Sequence, residues 1–144
     1  MLPTVSVIVV NYRGARDTIT CLMALRNDLA YPADRLQVVC VENGSGDDSA
    51  ALIRAEVPGV TLIESPTNLG FAGGCNLGAR HATGEVLALL NNDARPDPNW
   101  AAAAVEVLRT DPTVAAVASK VLDWTGERID FADAGLTWFG MGYK

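Results

Sequence analysis

The chain has 144 residues, enough for one domain with a packed core, and 49% hydrophobic against 19% charged residues is a globular composition. Its formal net charge of -6 argues against nucleic acid as a partner, since nucleic-acid binders usually carry a basic face that offsets phosphate charge. An acidic protein that holds a diphosphate needs positive charge from a metal ion, helix N-termini or a few Arg and Lys.

The β-branched run Val5 to Val10 reads as a buried parallel strand, followed by the loop Asn11-Tyr12-Arg13-Gly14. From Asp17 to Ala30, Ile19, Leu22, Leu25 and Leu29 recur at helical spacing until Pro32. Val38 to Val41 is a second buried strand that ends in Glu42-Asn43-Gly44-Ser45, and Asp47 is placed to cap a helix running to Pro58-Gly59. Val60 to Ile63 predicts a third strand, with a Gly-rich helix from Phe71 that Gly84 would end. Val86 to Leu90 predicts a fourth strand, Pro98 to Thr110 an Ala-rich helix and Val114 to Val121 an extended run. The tail from Asp123 to Lys144 has no clear period. The alternation predicts an α/β fold, a mainly parallel sheet with helices on both faces, and no linker divides residues 1–144 into more than one domain.

Cys21, Cys40 and Cys75 are odd in number and lack a C-x-x-C pair, which argues against a disulfide framework or a zinc site and for a reducing cytoplasm. No apolar run approaches the roughly 18 residues that cross a bilayer, and residues 1–10 lack the basic start of a signal peptide.

In open α/β sheets ligands bind beyond the carboxyl ends of the strands. Those positions hold Asn11 and Tyr12, Glu42 and Asn43, Asn68 and Gly70, then Asn91, Asn92 and Asp93, four clusters expected to converge on one edge. Neither a dinucleotide G-x-G-x-x-G nor a P-loop follows the first strand. The glycines Gly70, Gly73, Gly74 and Gly78 come after the third strand and suit either close helix packing or approach of a phosphate.

Four ordered segments carry a resemblance: Val5 to Tyr12, Val41-Glu42-Asn43-Gly44-Ser45, Asn68 to Gly78, and Leu89-Leu90-Asn91-Asn92-Asp93-Ala94. Together they resemble the inverting family 2 glycosyltransferases of GT-A fold, particularly bacterial rhamnosyl- and galactofuranosyltransferases, from Val5 to about Gly135. The resemblance implies a UDP- or dTDP-sugar donor, with the base near Asn11 and Tyr12 and Glu42 accepting the imide N–H. A carboxylate is an acceptor only, which suits that donor; the family most often has Asp there. Asp93 matches the last acid of the family's D-x-D motif and is the implied ligand of Mg2+ or Mn2+, ions that take hard oxygen donors. Asn91 replaces the first acid and can still hydrogen-bond ribose. Without the family, Asn91-Asn92-Asp93 also reads as a polar turn and Glu42 as a solvated or capping acid. Asn43, Asn68, Gly70, Asn76 and Asn92 complete the implied nucleotide-sugar set; Arg13 and Arg80 are either diphosphate contacts or surface charges. His81 suits a surface or packing role, and Trp100, Trp124 and Trp138 suit core or acceptor surface.

The implied acceptor is a glycan or a lipid-linked glycan, with the full-length family members at the inner membrane face. The family's catalytic base belongs to a downstream Glu-Asp segment, expected beyond Lys144; Asp123, Glu127, Asp130 and Asp133 do not match it. A truncated or shortened member that binds donor is therefore the expectation, with the acceptor-binding C-terminal part missing. Two alternatives remain: a non-catalytic nucleotide-sugar-binding or assembly module, and a sugar-phosphate nucleotidyltransferase, for which the loop after the first strand is too short and Gly-poor.

Overall fold

The apolar run at the start forms strand β1 (Val5–Asn11), and every residue in it is buried. In the computed structural model, which describes residues 1–131, 135–136 and 142–143, the chain divides into two units, Met1–Ala102 and Ala103–Lys144.

The first unit continues with helix α1 (Ala15–Asn27), a 3-10 turn (Ala33–Arg35), β2 (Leu36–Glu42), α2 (Ser49–Glu56), β3 (Thr61–Glu64), α3 (Gly70–Ala79) and β4 (Val86–Asn91). The four strands form one sheet in the order β3-β2-β1-β4, and every pairing is parallel. A central strand in such a sheet is covered on both faces, which is why β1 needs no polar alternation. Helix α3 lies on the face that carries Ile8, Val10 and Val41: a Cβ on Gly74 would stand 2.8 Å from Val10 Cγ1, and one on Gly78 would stand 2.6 Å from Ile8 Cγ2. The spacing of these two glycines by one helical turn lets the helix backbone touch the sheet. Val10, Val41 and Cys75 form the core there, with Ile63 and Leu77 packed against it. On the other face α1 buries Ile19, Leu22 and Leu25, and Cys21 comes near enough to Cys40 to act on it electrostatically. Among the described residues β4 is an edge strand, and Leu87 and Leu89 are exposed.

Two expectations change. Gly84 does not end α3: the helix stops at Ala79, and Arg80 N–H donates to Asn76 O. Gly84 instead passes against β1, its N–H donating to Ser6 Oγ at 2.8 Å. Helix α1 ends at Asn27, short of Leu29, because Asp28 N–H makes the last helical bond and Ala30 N–H turns to Pro98 O. Of the extended run 114–121, only Val121 belongs to a strand. A β-branched sequence favours extension, but a strand also needs a partner for its backbone groups.

The boundary between the units falls within α4 (Trp100–Thr110). In the second unit β5 (Val121–Leu122) pairs antiparallel with β6 (Ile129–Phe131), and β7 (Gly135–Leu136) with β8 (Gly142–Tyr143). Asp123 organises the first hairpin by accepting from Thr125 N–H and Oγ1–H. Asp133 and Trp138 lie outside the described residues; Trp124 is exposed.

Candidate functional site

Parallel register brings the strand ends level. Asn11 is the partner of Glu42, and Val10 the partner of Asn91, so β1, β2 and β4 deliver their polar residues to one edge of the sheet, the place where α/β folds hold ligands.

The polar residues are joined by a buried network. Asn11 is fully buried; its Oδ1 accepts from Thr18 Oγ1–H at 2.8 Å and Gly14 N–H at 3.3 Å, and its Nδ2 donates to Ser45 Oγ at 3.4 Å. Ser45 Oγ also accepts from Arg13 N–H at 2.9 Å. Ser45 N–H in turn donates to Glu42 Oε1 at 2.8 Å. Glu42 is 6% exposed, and among the described residues no cation pairs with it. Burying a carboxylate is costly unless hydrogen bonds offset the lost water, and the Ser45 amide supplies one.

Asn43 ties the β2 loop to the start of α3. Its Nδ2 donates to Asn68 Oδ1 and to Gly70 O, both at 3.1 Å, and its Oδ1 accepts from Leu69 N–H at 3.0 Å. Asn68 Oδ1 also accepts from Gly70 N–H at 2.8 Å, so two amides at the helix start are engaged within the protein. Asn76 is exposed on α3 and its side chain joins none of these bonds.

After β4 the chain turns, Ala94 N–H donating to Asn91 O at 3.1 Å. Asn92 reaches back to α1, its Nδ2 donating to Thr18 Oγ1 at 3.0 Å. Asp93 is exposed, and among the described residues it is in no ion pair; Arg95, two residues on, pairs with Asp28 instead. Its charge is felt inside: burial first, then Asp93, pushes the Cys21 thiol up to about 12. Cys21 Sγ–H donates to Asn91 O at 3.6 Å. Tyr12 is exposed, with the Arg13 guanidinium 5.2 Å from its ring centroid, and Arg13 Nε donates to Ser45 O. Arg80 is exposed just past α3, and exposed His81 accepts Gln37 Nε2–H on its carbonyl.

The structure thus brings Asn11, Glu42, Asn43, Asn68, Gly70 and Asn92 into linked bonds and leaves Tyr12, Asn91 and Asp93 facing solvent at the same edge. Thr18 and Ser45 join them without having been singled out from the sequence. Thr18 carried a signal: it occupies the buried stripe of α1 with Leu22 and Leu25, where a polar residue needs a buried partner. Among the described residues no group of three or more His, Cys, Asp or Glu is placed to hold a metal. A depression of about 330 Å³ beside Arg13, Arg16, Asp47 and Asp48 does not include Asp93.

The parallel sheet with helices on both faces and a polar carboxyl edge is an open α/β fold, and likeness to a solved mannosyltransferase makes it a GT-A-type nucleotide-sugar transferase fold. The sequence pattern described as Glycosyl transferase family 2 matches residues 6–130, and the chain belongs to that family. It is similar to the glycosyltransferase AglE of Haloferax volcanii, 29% identical over 102 residues that make up 69% of this chain and 33% of AglE. The glucosyl-dolichyl phosphate glucuronosyltransferase of the same organism is 26% identical over 113 residues, 76% of this chain and 36% of that protein. Among solved structures, the mannosyltransferase PcManGT of Pyrobaculum calidifontis, in complex with GDP-Man and Mn2+, superposes with a TM-score of 0.72 at 36% identity, covering 79% of this chain and 34% of that one. The chain thus spans about a third of the length of these relatives.

Proposed function

We propose that this chain forms the donor site of a glycosyltransferase that binds a UDP- or dTDP-linked sugar with Mg2+ or Mn2+ and passes the sugar, with inversion, to a glycan or lipid-linked acceptor. The observation that carries the reading is that buried Glu42, at the end of β2, and the turn of exposed Asp93, just past β4, stand at one edge of the sheet and are linked through Ser45, Asn11, Thr18 and Asn92.

Glu42 is the proposed acceptor for the imide N–H of the base, and Tyr12 the exposed ring beside it. Asn91, Asn92 and Asp93 form the diphosphate end. Asp93 suits a hard divalent ion: it is an exposed carboxylate, in no ion pair among the described residues, and such ions complete their shell with phosphate oxygens and water. Asn91 offers an amide oxygen at the same turn. Bound there, the ion would offset the charge that grows on the departing diphosphate. With a net charge of -6, such an ion is a favourable source of the positive charge that an anionic donor needs. The complex of PcManGT with Mn2+ supports Mn2+. Inversion requires a base that takes the acceptor hydroxyl's proton, and no residue of this chain is assigned to it; Asp123 is already engaged in its turn. The glucuronosyltransferase relative, named for a glucosyl-dolichyl phosphate, supports a lipid-linked acceptor. Among the described residues no helix is long and apolar enough to cross a membrane.

A second reading, a GDP-linked donor, is favoured by the GDP-Man bound to PcManGT, since guanine too presents a ring N–H to a carboxylate. Calorimetric titration of UDP, dTDP and GDP with and without Mn2+ separates the readings. Mn2+-dependent binding of UDP or dTDP in preference to GDP is the expected result. Preference for GDP would replace the donor assignment, and equal binding without metal would overturn the role of Asp93.

A further inference from the structure

The donor reading leaves one buried side chain at the centre of the network without a role. Thr18 is fully buried in the first turns of α1, and its hydroxyl lies between Asn11 Oδ1 at 2.8 Å and Asn92 Nδ2 at 3.0 Å.

The proton inventory fixes the direction of these bonds. Asn11 Oδ1 accepts from the Gly14 amide, which can only donate, so this oxygen is the carbonyl side of the Asn11 amide. Thr18 must therefore give it the single hydroxyl proton, and the hydroxyl's lone pairs are left to accept from Asn92. Asn92 is thereby held with its NH2 group toward the protein and its carbonyl away from Thr18. Gly14 leaves the amide its room: a Cβ added there would stand 3.0 Å from Asn92 Nδ2, so a larger residue would crowd it. The half-buried Asn92 precedes exposed Asp93 directly, so orienting one side chain sets the turn that presents the other.

We propose that Thr18 is a positioning residue of the donor site, its hydroxyl fixing the turn Asn91-Asn92-Asp93 against Asn11 and so coupling the metal-binding end to the base-binding end at Glu42. The proposal rests on the donor reading above. Groups that orient a ligand residue through hydrogen bonds usually matter to metal affinity about 10- to 100-fold when removed. Thr18→Val keeps the shape and removes both bonds; Thr18→Ser keeps the hydroxyl and removes only the methyl.

The test measures Mn2+ affinity in the presence of UDP by electron paramagnetic resonance for the wild-type chain, T18V, T18S, N92A and D93A, with urea midpoints for each. The side-chain NH2 signals of Asn92 are also followed by NMR without metal. We expect T18V to weaken Mn2+ binding about 10-fold and to move the Asn92 NH2 signals toward those of a solvated amide, with T18S like the wild type in both. N92A, at a half-buried loop position, gives the same loss through the other partner of the bond if T18V does not fold. Wild-type affinity in T18V or N92A while D93A has lost binding would overturn the Thr18 assignment alone. A loss in T18S as large as in T18V would overturn it too, since the methyl and not the hydroxyl would then matter. Failure of the wild-type chain to bind Mn2+ with UDP, or an unchanged D93A, would overturn the donor reading and the Thr18 assignment with it.

Discussion

Gly44 lies in the loop after β2, between Asn43 and Ser45, and replacing it with alanine tests how closely two site loops must approach. Its φ is +70°, where an added Cβ costs about 1 kcal/mol. That Cβ would also fall on the Thr67 carbonyl carbon, with Asn68 N at 2.7 Å and Thr67 Cα at 2.8 Å. These are backbone atoms with no rotamer to adopt, so the loops must part by about 1 Å to reach an ordinary carbon contact. Overpacking of this kind costs about 1–3 kcal/mol. Parting the loops also stretches the Asn43 bonds to Asn68, Leu69 and Gly70, each of which contributes about 1 kcal/mol. Gly46 is the internal control: its φ is also +70° but among the described residues nothing lies within 4 Å of an added Cβ. Urea unfolding should therefore show Gly46→Ala destabilised by about 1 kcal/mol and Gly44→Ala by about 3–5 kcal/mol. Equal losses in the two variants would refute the claim that the β2 loop and the loop before α3 are held in backbone contact.

Cys21 and Cys40 ionise near 9.0 when unfolded but are held up to about 12 in the fold, in both cases chiefly by burial. The folded chain therefore keeps thiol protons that the unfolded chain has lost, and stability should be flat in this respect below pH 9 and fall as pH rises from 9 to about 12; urea midpoints across that range, compared with the C21A/C40A variant, check it. The same two thiols should be silent toward a disulfide reagent at pH 8 until the chain is unfolded. Glu42→Gln retains an oxygen for the Ser45 amide but removes the charge, so the urea midpoint should change little while calorimetry shows nucleotide affinity falling about 10-fold, the worth of a charged hydrogen bond; unchanged affinity would remove Glu42 from base recognition.

The central strands were legible because burial on both faces leaves an unbroken β-branched run, and Asn11, Glu42 and Asn91 stood out as the polar residues that end such runs. The glycines of α3 were readable only as two alternatives. Distances decide for Gly74 and Gly78: their missing side chains leave room for Val10 and Ile8. Gly84 was taken for a helix end because a glycine after a helical run commonly is one; its actual constraint, the backbone of Ser6, is distant in sequence and invisible to local reasoning. The network itself was hidden for a similar reason. Asn11 and Asn43 read as groups facing a ligand, whereas both are buried and bonded within the protein, and Thr18 and Ser45 gain meaning only when α1 and the β2 loop meet. Val114 to Val121, whose composition suits extension, gains a strand partner among the described residues only at its last residue.

The most direct measurement is paramagnetic line broadening in the amide NMR spectrum on adding Mn2+ with UDP. The account predicts loss of signals from Asn11, Glu42, Gly70 and Asn91 to Asp93 at the carboxyl ends of the strands, with Val5, Leu36 and Val86 at the opposite ends unaffected, and no such pattern in Asp93→Ala. Broadening centred elsewhere, or an identical pattern in Asp93→Ala, would contradict it.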